Sequence, residues 1–345
     1  MRMPRSTRAL LELCAALRPD PGTAAAALDI ASHGSAVAQA LGCAYLHDDW
    51  SACQEAMQVG VAPVYHADRL PTGSYPLILL DDRSLDPALT GTFVAGAAAA
   101  LSPGGLFCST AGPDEVAAWF SEVEAMGEVL VARSPRAGRA ETTPITYTVA
   151  FGDHQWQVHS EPGLFSPRGI DPGTREMLAV VAARPGQRFL DLGCGTGVVS
   201  LIASRVWGCT VTAVDLSARA LRVTRLNVPE AEVIASDGFK ALSGREFDIV
   251  ASNPPYHTDF AVAKGFIEQA HLHLREGGWL YLVVKRPDWY IQKVRSVFGG
   301  CQVVERHGYF VLAAERRAVS TKPRPTPQPK TTRKHAKRIA RGKRP

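Results

Sequence analysis

RFLDLGCGTG at residues 188–197 is followed by VTAVDLS at 211–217, ASDGF at 235–239 and SNPPY at 252–256. The first piece reads as a buried strand, Arg188 to Leu192, that runs through a glycine turn into a helix starting at about Val198. Gly193, Gly195 and Gly197 allow a sharp bend and let a ligand approach the main-chain amides. A dehydrogenase-type dinucleotide fingerprint needs G-x-G-x-x-G, but here Val198 follows Gly197, so the third glycine falls one residue early. Asp191, read as part of the turn, sets a carboxylate where phosphates would lie, and so suits a cationic ligand with an amino group.

Two further aspartates end the next strands. Asp215 closes TVTAVD, where a carboxylate can accept hydrogen bonds from both hydroxyls of a ribose, and Asp237 closes AEVIASD within reach of an adenine amine. A single aspartate at a strand end is commonly a helix cap or a loop residue. Three in succession around a glycine turn form a pattern that resembles the class I S-adenosylmethionine-dependent methyltransferases, from Phe165 to about Arg317. The resemblance implies that S-adenosylmethionine is held by Asp191, Gly193, Cys194, Gly195, Thr196, Gly197, Asp215, Leu216, Asp237, Gly238 and Asn253. Cys194 itself reads as a small packing residue rather than a nucleophile.

SNPPY follows the strand FDIVA, where this family keeps its catalytic loop. An exocyclic or amide nitrogen is a poor nucleophile because its lone pair is delocalised. The side-chain oxygen of Asn253 and the carbonyl of Pro254 are suited to accept its two N–H bonds, aiming the lone pair at the methyl group and stabilising the developing positive charge. Pro254 and Pro255 restrict φ and hold that carbonyl in place, and Tyr256 offers a face on which a flat base or amide can stack. His257 is added as a substrate contact.

The chain has 345 residues, enough for two α/β domains, with 46% hydrophobic and 21% charged residues. No apolar run reaches membrane-spanning length, and the N-terminal MRMPRSTRALLELCAAL reads as a first helix. Seven scattered cysteines without a C-x-x-C pair, and His271 and His273 without a third ligand, imply reduced thiols in a cytoplasmic protein and no metal site. The formal net charge of +5 belongs to the C-terminus: residues 322–345 carry ten Lys and Arg and no acid, leaving the rest at −5.

The N-terminal half alternates strands and helices in the order of the second half. LSPGGLFCSTA echoes LREGGWLYLVV, and EVEAMGEVLVARS is set against VRSVFGGCQVVER, with PDEVAAWFSEVEAM read as one helix. LDIASHGS stands where the second half has LDLGCGTG, and LLDDRS stands where it has SNPPY, so the first copy has lost its site. The expected architecture is therefore α/β: two tandem Rossmann-like methyltransferase domains, the N-terminal one degenerate, followed by a disordered basic tail. The boundaries are 1–137, a hairpin linker at 138–164, the catalytic domain at 165–320 and the tail at 321–345. Phe165, Ser166 and Arg168 precede the cofactor strand and either lie over the site as substrate contacts or belong to the linker. The tail is too polar to fold alone and is either a solvated appendage or a phosphate-binding segment.

A duplicated chain with NPPYH in its second half resembles the ribosomal RNA guanine-N2 methyltransferases, namely small subunit methyltransferase C and large subunit methyltransferase G. The resemblance is specific through FSPRGID, DLGCGTGVVS, SNPPYH and VVERHGYFVL. It implies a monomer acting on ribosomal RNA or a ribosomal subunit, with the first half supporting folding and docking. Tyr256 stands where that family usually has Phe; Tyr there is common among adenine-N6 and glutamine-N5 methyltransferases, so the acceptor stays open between guanine, adenine and an amide. A protein glutamine methyltransferase, a small-molecule methyltransferase and a non-catalytic RNA-binding assembly factor are the alternatives.

Overall fold

The computed structural model describes residues 3–136, 145–254 and 260–317. The apolar runs of the first half form β1 (Leu28–Ile30), β2 (Ala44–His47), β3 (Val64–His66), β4 (Tyr75–Leu80), β5 (Leu101–Ser109), β6 (Phe120–Met126) and β7 (Val129–Pro135). A hairpin follows, β8 (Ile145–Phe151) and β9 (His154–Ser160). The second half supplies β10 (Arg188–Leu192), β11 (Thr210–Asp215), β12 (Glu232–Ala235), β13 (Phe247–Ser252), β14 (Leu274–Val284), β15 (Gln302–Arg306) and β16 (Tyr309–Glu315). The sheets run β3-β2-β1-β4-β5-β7-β6 and β12-β11-β10-β13-β14-β16-β15, the same permutation twice, with β7 and β16 antiparallel to their inner neighbours. Each sheet is covered on both faces: Leu77 and Leu79 of β4 enter one core cluster, and Ile78 and Leu80 enter the other. That double burial is why the strands read as unbroken apolar runs.

The duplication extends to atomic detail. In β5 and β14 the paired glycines do different work. Gly104 and Gly277 have φ of 74° and 77°, and a Cβ on Gly105 or Gly278 would lie 2.9–3.0 Å from backbone carbonyls of its own and the neighbouring strand. At the first position the left-handed backbone favours glycine, and at the second a side chain has no room. Asp29 of β1 accepts from the backbone amide of Ala38, and Asp191 of β10 from that of Ser200, each nine residues ahead in the following helix.

One sequence expectation is corrected. The helix that starts at Pro113 ends at Trp119, and FSEVEAM is strand β6, paired with β7 through Val129 and Leu130 to Pro135. The counterpart of this pair is β15–β16, so EVEAMGEVLVARS aligns with the terminal hairpin and not with the helix end VRSVF. Glu, Ala and Met are good helix formers, but propensity is a small bias per residue, and here the ladder to β7 outweighs it.

The hairpin and the first half both press on the second. Tyr147, Val149 and Val158 join the core of Phe189, Ile202 and Val211, and Asn227 clasps both the N–H and the C=O of His159. From the first half, the backbone amide of Trp50 donates to Leu216 O (3.0 Å), and that of Ala218 donates to Asp48 O (2.9 Å). His66 Nε2 lies 2.8 Å from Asp48 O and 2.9 Å from Leu216 O, so it carries the proton and bridges the two carbonyls. Arg219 pairs with Asp86, while Arg222 joins Asp68 and Glu161, which raises the guanidinium pKa of Arg222. The first half thus grips the chain directly after Asp215.

Candidate active site

The C-terminal ends of β10, β11 and β13 open into a cavity of about 430 Å³, a size usual for small-molecule sites. All the cofactor residues expected from sequence line it except Gly197, which sits behind the turn; Phe165, Ser166 and Pro254 are on its wall as well. Tyr147, Thr174, Val262 and Phe266 complete the wall on the hairpin and the flanking helices. Arg168 is exposed and is not part of the wall. Pro255, Tyr256 and His257, expected to act in catalysis and substrate binding, lie outside the described residues, as does the tail beyond 317.

The turn works differently from the sequence reading. Its amides are already engaged: those of Gly193 and Cys194 donate to Val214 O, that of Gly195 to Asp215 Oδ2 at 3.0 Å, and that of Gly197 to Cys194 O. These donors are not available to phosphates. What the turn offers a ligand is close approach, because a Cβ on Gly193 or Gly195 would stand in open space. Gly197 is needed for packing, since its Cβ position is 3.0 Å from Thr224. In the first half Ala31 and Ser35 hold left-handed φ of 62° and 53° without being glycine. There Tyr45 is fully buried and donates to Ser32 O beneath the turn, and the register places His47 where β11 has Asp215.

Asp191 also departs from expectation. It belongs to β10 and not to the turn, is 2% exposed, and its Oδ2 accepts from both N–H and Oγ of Ser200 (3.0 and 2.6 Å). Because Asp29 does the same in the half that has lost its site, this bond is a helix-to-strand tie first. Burial pushes the Asp191 carboxyl up to about 6 and also raises Asp215, whose Oδ1 accepts from the Ser217 amide. Asp237 is partly exposed and pairs with Lys240 at 2.5 Å. Burial raises the Cys194 thiol well above its ordinary range, and Cys194 packs with Ala213 and Leu221, as a packing residue should. Four aspartates, 171, 191, 215 and 237, and no Lys, Arg or His line the cavity among the described residues. Such a wall favours a cationic ligand over a phosphorylated one.

Asn253 follows β13 directly. Its Nδ2 donates to Asp171 Oδ2 (2.8 Å) and Thr174 Oγ1 (3.0 Å). Asp171 caps the helix Pro172–Leu178 by accepting from the Thr174 amide, and an ionised carboxylate has no proton to give. The amide must therefore turn its NH2 towards Asp171, and Asn253 Oδ1 is left buried without a partner among the described residues. A buried, unpaired acceptor is costly and calls for a donor from elsewhere. The helix carrying Asp171 and Thr174 is in turn held by Glu176, which accepts from Arg306 and contacts His307 on the β15–β16 turn. In the first half Thr7 donates to Asp81 at the position matching Asn253, so the clamp persists where the amide is gone. The D-P-G-T helix start at Asp171 is visible in the sequence, but its partner 82 residues on is not.

Residues 155–314 match the family model of the methyltransferase small domain. Ribosomal RNA small subunit methyltransferase C of Pseudomonas putida is 32% identical over 199 residues, covering 55% of this chain and 60% of that protein. The protein of the same name from Haemophilus influenzae is 36% identical over 162 residues, covering 44% and 49%. The chain thus matches about half to 60% of the length of these curated relatives. Among solved structures, a 16S rRNA N2 guanine methyltransferase of T. thermophilus in complex with AdoMet and guanosine superposes with a TM-score of 0.72 at 24% identity, covering 84% of this chain and 88% of that one. That likeness extends the fold match to both halves. The matched residues 155–314 include the glycine turn and Asn253, so the likeness to the methyltransferase small domain falls on the half that carries the cavity.

Proposed function

We propose that this chain is an S-adenosylmethionine-dependent N-methyltransferase that modifies the exocyclic N2 of guanine in ribosomal RNA. The observation that carries the reading is the buried Oδ1 of Asn253, which has no partner among the described residues and whose orientation is imposed by Asp171 and Thr174. An amine entering the cavity can give one N–H to that oxygen and the other to the Pro254 carbonyl. Both bonds strengthen as the nitrogen becomes positive, and both acceptors are in place beforehand. The cofactor would supply an electrophilic methyl group. Asp215 and the open face of Gly193 and Gly195 would hold its nucleoside, and the carboxylate-lined wall suits its positive charge. After transfer the nitrogen releases one proton to solvent.

The curated relatives are named as ribosomal RNA methyltransferases, and the T. thermophilus structure is that of a guanine N2 enzyme, which supports guanine N2 over adenine or an amide; the α/β first half supports the RNA enzymes over the glutamine methyltransferases. No helix among the described residues is long and apolar enough to cross a membrane. The reading extends to a cytoplasmic monomer that meets ribosomal RNA or an assembled subunit, with the units 1–137, 138–164, 165–320 and 321–345 as its domains. The test is transfer of labelled methyl to ribosomal RNA followed by nucleoside mass spectrometry. N2-methylguanosine with the wild type, and its loss with Asn253→Ala, is expected. A product methylated at adenine N6, or on protein, overturns the assignment.

A further inference from the structure

The exposed large apolar side chains among the described residues include two aromatic rings, Phe165 and Phe260. Of these, Phe165 is on the cavity wall and Phe260 is not. Phe260 begins the helix Phe260–His273, whose Val262 and Phe266 line the cavity. Phe260 is 53% exposed, yet it is not loose: its ring sits 4.5 Å from that of Trp289, tilted by 31°, and Trp289 abuts Tyr290 edge-on at 5.0 Å. Three aromatic rings are thus braced against one another with the outermost face open to water. A single exposed apolar residue is ordinary, but a braced aromatic cluster with an open face, beside the helix that lines a site, is the kind of patch that marks contact with another molecule.

The charge beside it fits one kind of occupant. Lys285 and Arg286, both exposed, follow β14, which runs beside β13 towards Asn253; Trp289 comes three residues later. Lys285 Nζ lies over the Tyr309 ring at 5.1 Å, and Tyr309 in turn packs on Gly173, beside the Thr174 that orients Asn253. Lys264 is exposed one turn along the helix from Phe260. Among the described residues, Asp288 and Glu268 are the acids nearest in the chain, the latter paired with Lys293. The cavity wall carries no base among the described residues, so backbone phosphates of a nucleic acid would find their counter-charge here rather than inside.

We propose that Phe260, braced by Trp289, together with Lys285 and Arg286 forms a second nucleotide subsite that takes the base and phosphate adjoining the target nucleotide in a single-stranded RNA segment. It rests on the RNA reading above and adds to it the place where the flanking residue is held. Stacking on an aromatic face tolerates any base, and the two cations neutralise phosphate without reading sequence. The subsite therefore contributes affinity and strand placement, leaving the choice of the reacting atom to Asn253.

The test measures binding of a short single-stranded oligoribonucleotide containing one guanine, by fluorescence anisotropy, alongside cofactor binding. Phe260→Ala should weaken RNA binding roughly ten- to a hundredfold, as for loss of one base–aromatic stack, while Phe260→Tyr binds as the wild type. When the base next to the guanine is replaced by an abasic site, Phe260→Ala and wild type should bind alike; this cycle separates stacking from a general structural defect. Lys285→Gln with Arg286→Gln should flatten the salt dependence by about 1.4 units of slope, at about 0.7 per phosphate contact on a single strand. Wild-type affinity in Phe260→Ala, or an equal loss on intact and abasic RNA, overturns the subsite alone. A wild-type protein that binds the cofactor and no RNA overturns the RNA reading together with it.

Discussion

Replacing Asp171 by alanine tests how Asn253 is aimed. The carboxylate is 2.8 Å from Asn253 Nδ2, a charge-assisted bond worth about 1.5–3 kcal/mol, and the remaining partner is the Thr174 hydroxyl at 3.0 Å. A hydroxyl both donates and accepts, so without Asp171 nothing selects which end of the amide faces the substrate. Releasing that bias lets the amide turn over and present its NH2 to an amine that also needs an acceptor. The productive orientation, and with it the transfer step, should fall roughly tenfold to a hundredfold. The same substitution removes the cap on the helix Pro172–Leu178, so a loss of about 1 kcal/mol in stability is expected alongside. Asp171→Asn separates the two effects: its oxygen can still accept from Thr174 and from Asn253, in weaker neutral bonds, so a loss of only about fivefold is expected. The assay is single-turnover methyl transfer at saturating RNA and cofactor, with cofactor affinity measured separately by calorimetry. A rate within about twofold of wild type in Asp171→Ala would refute the orienting role.

Asp215→Ala should lower cofactor affinity by roughly tenfold or more before it affects the transfer rate, since its carboxylate anchors the Gly195 amide as well as facing the cavity; unchanged calorimetric affinity would remove Asp215 from the site. His66→Ala should weaken cofactor binding by roughly three- to tenfold, through release of Leu216 beside Asp215, and leave the saturated transfer rate unchanged; a change in rate alone would contradict this. Burial raises the carboxyls of Asp29 to about 7 and of Asp191 to about 6, above their ordinary 3.8, so each binds its proton more tightly when folded and adds stability as pH falls through those values. Glu176, Glu230 and Glu232, held low by hydrogen bonds from Arg306, Arg205 and Arg245, lose their contribution only as pH falls below their ordinary 4.5. The Tm should consequently be higher near pH ~5.5 than near pH ~8, and a steady rise to pH ~8 in a thermal scan would count against it. Deleting residues 322–345, with their ten bases, should raise the KM for RNA and flatten its salt dependence without changing the modified nucleotide; identical KM-versus-salt curves would show that the tail does not meet the RNA.

What the sequence determined by itself is local in origin. An apolar strand entering Gly-x-Gly-x-Gly, aspartates at the ends of three strands and Asn-Pro-Pro-Tyr after a fourth are each written within a few residues, and the backbone has few ways to satisfy them. The duplication was legible for the same reason: Leu-x-x-Gly-Gly recurs because each copy needs a left-handed residue and then one without a side chain. Tertiary structure decided whatever depends on a partner distant in the chain. Phe120–Met126 became a strand because β7 was there to pair with it. Asp191 became a tie to Ser200 as well as part of the cavity wall, and the amides of Gly193, Cys194 and Gly195 were engaged by β11 before any ligand could use them. The hairpin, a linker by its position in sequence, closes the cavity with Tyr147. Asn253 is oriented by Asp171 and Thr174 about eighty residues earlier, and Leu216 is held by His66 from the other half of the chain. A hydrogen bond constrains two groups in space with no regard for their separation along the chain, so nothing in the local pattern around either group announces it.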